Sequence, residues 1–174
     1  MRKPVLLLAL RAVGALALLA VAADHLYEYY ADHYSAIPTI GTLFLLNGAG
    51  ATALGLILLA PLNSVLPRPA ARWALALTAS GGIALAAASL AGLFIAETEP
   101  LFGFMEAGYR AVIVAAIASE ALAILALAPV VLLSWRARLG LRSRVAHPQP
   151  AAQPRREEPH GRGDQRQHGD ARLL

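Results

Sequence analysis

Residues 111–135 read AVIVAAIASEALAILALAPVVLLSW. The run carries one acid, Glu120, and no base, over more than the roughly 20 apolar residues that cross a bilayer's hydrocarbon core. A helix apolar on every side belongs either in lipid or at the centre of a large soluble core. A chain of 174 residues cannot wrap four of them, and there are four. Working back from 111–135, residues 73–96 contain no charge. Residues 40–62 have Asn47 as their most polar member, and 5–23 are interrupted only by Arg11. The expected fold is therefore all-α, an integral membrane four-helix bundle over residues 1–136, followed by a basic tail over 137–174.

Composition fits this division. Hydrophobic residues make up 57% and charged residues 15%, against roughly 25% charged in soluble domains. The net charge of +4 belongs mainly to the tail, because nine of the fifteen Lys and Arg residues follow Trp135. It does not point to nucleic acid. Residues 136–144 are Arg-rich, suited to anionic lipid headgroups at about 1 kcal/mol per basic residue. Residues 146–174 are rich in Pro, Gln, Arg, Gly and His, with too few apolar residues for a core, which predicts disorder. His147, His160 and His168 are too scattered for a metal site. The absence of cysteine excludes disulfides and thiolate chemistry.

Basic residues stay on the cytoplasmic side of a membrane. Arg2 and Lys3 precede the first span, Arg68 and Arg72 lie between the second and third, and Arg136, Arg138, Arg142 and Arg144 follow the fourth. The other two connections are acidic: Asp24, Glu28 and Asp32 in one, Glu97, Glu99 and Glu106 in the other, with Arg110 the single base. Both termini are accordingly expected in the cytoplasm, in the plasma (inner) membrane. Trp73 and Trp135 then mark the inner interface, and Tyr27, Tyr29, Tyr30, Tyr34 and Tyr109 the outer one. A competing reading takes residues 1–22 as a secretory signal ending in Ala20-Val21-Ala22. Arg11 breaks that apolar run, and its length suits a span.

Small residues let helices approach closely in lipid. They recur every fourth position at Ala84, Ala88 and Gly92, at Ala111, Ala115, Ser119 and Ala123, and at Asn47, Ala51 and Gly55. These stripes are the expected contact faces.

Ionisable groups inside a membrane are costly, so Arg11 and Glu120 are candidates for function. An Arg11–Glu120 pair would relieve both charges, or Arg11 simply snorkels toward the inner side. The alternative is a working Glu120 that exchanges protons or meets a polar headgroup or quinone. A second cluster caps the outer end. On a helix Asp24, Glu28 and Asp32 share one face, and His25, Tyr29 and His33 the next. Glu106, with Glu97 and Glu99, would lie nearby. Carboxylate and imidazole at this spacing can hold a divalent metal; the plainer reading is a solvated, tyrosine-anchored helix end. Both span-side histidines fall on one segment, which argues against an axially ligated haem. Pro38 suits a helix start, and Asn47 is placed to hydrogen-bond a neighbouring helix. Residues 101–106 are too short to span and are expected to lie along the outer surface.

The stretch YSAIPTIGTLFLLN at 34–47, preceded by His25 and joined by GFME at 103–106, resembles an uncharacterised family of small four-span membrane proteins of high-GC bacteria. The layout is also similar to the DoxX-like group, whose resemblance implies quinone or thiol redox chemistry. Neither resemblance carries over a catalytic residue, and without cysteine the thiol branch has no residue to act. The expected role is a non-enzymatic membrane component or complex subunit with no cofactor specified. Its expected partners are membrane lipids, other membrane proteins or further copies of itself in a homo-oligomer. The alternative is a redox-associated or quinone-handling protein using Glu120 and the His25/Glu28 cap. A small permease would call for broken helices or an inverted repeat, and neither is visible.

Overall fold

The computed structural model describes residues 3–106, 108 and 110–145; for Lys3, Pro4 and residues 137–145 it describes the backbone alone. Tyr109 and the expected disordered stretch 146–174 lie outside the described residues. Helix α1 covers Lys3–Tyr30, α2 Pro38–Leu59, the short α3 Leu62–Val65, α4 Arg68–Thr98 and α5 Ala111–Val145. The four long helices are each long and apolar enough to cross a membrane. At 1.5 Å rise per residue, the 22 residues of α2 reach about 33 Å, just over the hydrocarbon thickness. Large apolar side chains point outward from all four, as Leu8, Leu56, Leu77 and Leu125 show. With lipid as the solvent, that surface needs no further cover.

The helices run up-down-up-down in a ring, α1 against α2 and α5, and α4 against α2 and α5. One end gathers the acidic connections and the other the basic ones; they are called here the acidic and basic ends. Trp73 and Trp135 meet edge to face at the basic end, ring centroids 5.8 Å apart.

Turn chemistry fixes the span limits. At the acidic end α1 runs on to Tyr30, past the expected limit of 23, and its chain turns at His33, which is left-handed with φ 65°. A 3-10 turn over Tyr34–Ala36 then leads to Pro38, which opens α2. Gly41 must be glycine here, because a Cβ would stand 2.6 Å from the Tyr34 carbonyl oxygen. At the basic end α2 stops at Leu59, short of the expected 62, since Pro61 follows. Helix α5 continues beyond Trp135 to Val145, through the Arg-rich stretch that opened the expected tail.

The tightest packing is in the half toward the basic end. Ala15, Leu18, Leu58, Ala79, Ala123, Leu127 and Val130 form one buried cluster there. Glycines permit it: a Cβ on Gly14 would lie 2.4 Å from Leu127, and one on Gly82 2.8 Å from Leu18. Of the expected contact stripes, Ala51 and Gly55 are buried as anticipated. The other two are corrected in part. Ala111 and Ala115 are exposed, Ala123 is buried as anticipated, and α5 turns Ala116, Glu120 and Leu127 inward with it. Ala84 is exposed as well, and α4 buries Ala79, Gly82 and Ala86. In a helix this rich in alanine both faces carry small residues, so their spacing cannot choose between them.

Candidate functional site

The two intramembrane charges do not pair. Arg11 Nε and Nη2 donate to the carbonyls of Leu58 and Ala60, at the C-terminal end of α2. A helix leaves its last carbonyls without partners, and a cation there also meets the negative end of the helix dipole. The expected Arg11–Glu120 pair fails on level. Helices α1 and α5 are neighbours, but Gly14 faces Leu127, while His25 faces Glu120. Glu120 thus sits opposite a residue roughly 21 Å further along α1 than Arg11.

Around Glu120 the helices stand apart. A cavity of about 290 Å³ opens between α1, α2, α4 and α5 in the half toward the acidic end. Its walls are mainly apolar, with Ile40, Phe44, Leu85, Leu93, Phe104 and Ile113 among them. Ala88 and Gly92, expected to pack against a helix, line this space instead. Residues 101–106 do not simply lie on the surface. Leu101 and Phe104 exchange backbone hydrogen bonds of 2.8 and 3.0 Å, and both side chains line the cavity. The Glu106 N–H donates to the Ala96 carbonyl at 2.9 Å, which ties the loop to α4.

Four polar side chains meet on the wall, one from each long helix. His25 is 5% exposed and Glu120 1%. His25 Nδ1 donates to the Val21 carbonyl at 2.9 Å, one turn back on α1. That bond leaves Nε2 as the acceptor of a neutral ring. Asn47 Nδ2 donates to it at 3.0 Å. Ser89 Oγ lies 3.1 Å from the same nitrogen and also reaches the Glu120 carboxyl. Glu120 Oε1 stands further off, 3.9 Å from Nε2. Two acceptor atoms in this group are buried without a hydrogen-bond partner, Asn47 Oδ1 and Glu120 Oε1. Buried polar atoms normally find a partner, because an unpaired one costs about 1–3 kcal/mol.

A stack of rings leads from this group to the acidic end. The His25 and Phe44 centroids are 5.0 Å apart, and Phe44 lies nearly parallel to Tyr34 at 4.9 Å. Tyr34, expected as an interfacial anchor, is buried. Its hydroxyl donates to Glu106 Oε2 at 2.6 Å and accepts from Arg110 Nη2 at 2.8 Å. Arg110 also binds Asp32 through Nη1, Glu28 at 3.3 Å and Glu106 at 3.7 Å. Burial, and then the hydrogen bond to Glu106, push the Tyr34 hydroxyl well above the usual tyrosine range. Burial alone would lower the Arg110 guanidinium, but the Asp32 hydrogen bond and the surrounding negative charge raise it.

The outer cap is thus two sites rather than one. Glu28, Asp32 and Glu106 gather round Arg110, whereas His25 turns into the bundle. His33 is exposed and apart from both groups, as is Glu99. Asp24 is half-buried, with Oδ2 unpartnered. Instead of a solvated helix end, the segment buries His25 and Glu28. Among the described residues no three His, Cys, Asp or Glu side chains come together as a metal-holding group. Sequence reasoning singled out His25, Glu28 and Glu120 but missed Ser89 and the central place of Arg110. Arg110 carried a signal, as the one base in two acidic connections. Ser89 carried none, being one hydroxyl in an alanine-rich helix.

Fold and site together define a multi-pass membrane bundle with an apolar cavity between its helices and a polar group on the cavity wall. No family model, curated protein or solved structure matches the chain.

Proposed function

We propose that this small membrane protein holds a small, mainly apolar molecule inside its bundle by a polar head. The observation that carries the reading is Glu120: a carboxyl 1% exposed, on the wall of an apolar cavity, with one oxygen unpartnered. Binding pockets are mostly apolar, with a few placed polar groups, and an intramembrane acid is retained at a cost. Quinone handling through Glu120 and the His25/Glu28 cap, also suggested by the DoxX-like layout, falls within this class. A role as a complex subunit would use the outer surface of the same bundle, in contact with lipid, other membrane proteins or a second copy.

The orientation that fits the charge distribution has both termini in the cytoplasm and the acidic end outward, in the plasma (inner) membrane. Reporter fusions after Leu174 and between Asn63 and Pro69 test it, and an outward C-terminus would overturn it. For the ligand, the protein is extracted in native lipid discs and bound small molecules are identified by mass spectrometry. The wild type should retain a compound that Gly92→Leu, which fills the cavity, loses. Co-eluting protein retained equally by both, with no small molecule in either, would favour the subunit role.

A further inference from the structure

Glu28, Glu106 and Glu120 contribute three carboxyl groups to the cavity wall, and among the described residues no Lys or Arg lines it. The nearest guanidinium, Arg110, is already committed. It binds Glu28, Asp32, Glu106 and the Tyr34 hydroxyl, and its side chain is 41% exposed. Glu120 is left without a cation. His25 does not supply one: Nδ1 donates to Val21, and Asn47 Nδ2, which can only donate, faces Nε2, so the ring is neutral. With Nδ2 turned to His25, Oδ1 must point elsewhere, and it has no partner. Both orphan atoms, Asn47 Oδ1 and the Oε1 of an ionised Glu120, are acceptors.

We infer that the cavity selects a lipophilic amine in its protonated, ammonium form. The inference rests on the ligand-binding reading above and deepens it. An ammonium brings donors for both orphan oxygens and the positive charge that the Glu120 carboxylate lacks, a charge-assisted pairing of the stronger kind. A quinone offers carbonyl acceptors, which the orphan acceptors cannot serve. A hydroquinone or an alcohol offers donors but no charge. A fatty acid would add a fourth carboxyl group to the wall. The charge and the donor pattern thus converge on one head group, and the cavity's apolar walls on a hydrocarbon body.

The test uses one body with three heads: 4-phenylbutylamine, 4-phenylbutan-1-ol and 4-phenylbutyrate, with a short-chain hydroquinone and its quinone alongside. Binding to the full chain in lipid nanodiscs is read against empty nanodiscs, which corrects for partition into lipid. The amine should bind the wild type about ten-fold or more tighter than the alcohol, as a hydrogen bond to a charged group implies, and the carboxylate should bind weakest. Glu120→Gln should remove most of the amine's advantage while leaving the alcohol within about two-fold, since the amide keeps the shape and loses the charge. Head-group selectivity in the wild type needs no variant, so it stands even where Glu120→Gln fails to fold. Alcohol, hydroquinone or quinone binding as tightly as the amine would overturn the inference and leave the ligand-binding reading intact. Binding of none of the five, with Gly92→Leu indistinguishable from wild type, would overturn both.

Discussion

Arg11 and Glu120 are both ionisable groups on membrane helices, yet their surroundings differ in kind. Arg11 lies in the closed half of the bundle and spends its donors on two helix-end carbonyls. Glu120 lies in the open half, beside about 290 Å³ of space, with one oxygen unpartnered. The first charge solves a structural problem within the chain. The second is kept although nothing among the described residues completes it. An intramembrane charge therefore points to function only after its partners have been counted, and here one group passes that test and the other does not.

The contrast can be broken most directly by neutralising each charge. Arg11→Met should destabilise the bundle by about 1–3 kcal/mol, because two charge-assisted hydrogen bonds go and the Leu58 carbonyl loses its partner, whereas that of Ala60 keeps the Leu62 N–H. Glu120→Gln should cost less than about 1 kcal/mol, or stabilise, since it removes a buried charge that no cation balances. The double variant should equal the sum within about 0.5 kcal/mol, as for residues that do not touch. Denaturation in mixed micelles measures all three, and a double variant well above the sum in stability would restore the direct pair.

Glycine-to-alanine changes compare the two halves by packing. Gly14→Ala drives a methyl group into Leu127 and should cost about 1–3 kcal/mol. Gly92→Ala meets nothing closer than 3.8 Å and should be nearly neutral, within the roughly 0.5 kcal/mol typical of unconstrained positions. Equal losses at both sites would mean that the cavity is closed in solution.

Arg110→Gln tests the acidic end. Arg110 is half-exposed but the Glu28 and Glu106 side chains are largely buried, so leaving their carboxylates without a cation should cost about 1–3 kcal/mol, a loss that salt screens only in part. The smallest effect is at alkaline pH. Tyr34 holds its proton more tightly when folded. That stability is fully present below the ordinary tyrosine value and declines as pH rises above roughly 10. Melting temperature should therefore fall between about pH 10 and pH 12, and fall less steeply in Tyr34→Phe, which has no hydroxyl to titrate.

The fold was legible because lipid imposes a composition, and four runs met it. Ends were less so: His33 in a left-handed turn and Pro61 set limits that hydropathy does not record. The pairing of Trp73 with Trp135 at one end could be expected from the charge rule, and Asn47 does hydrogen-bond a neighbouring helix. Arg11 was misassigned for a physical reason. A sequence displays its charges, but not the partnerless carbonyls at a helix end, which every residue type carries alike. The cavity was hidden for a related reason. Ala88 and Gly92 on α4 look the same whether a helix packs on them or they border a space, and only the positions of the other helices decide.

The Arg11 contacts also bear on how the chain enters its membrane. Synthesis begins at the N-terminus, so α1 arrives before either of its acceptor carbonyls has been made. Until residues 58–60 emerge, the guanidinium is an uncompensated burden that can cost about 2.5–3.5 kcal/mol at mid-bilayer, less where the side chain reaches an interface. Arrival of α2 removes that burden and locks the two helices at a fixed offset, with the end of the second against the start of the first. The hairpin of α1 and α2, rather than α1 alone, is then the first segment to settle during insertion, and the later helices assemble on a register already set.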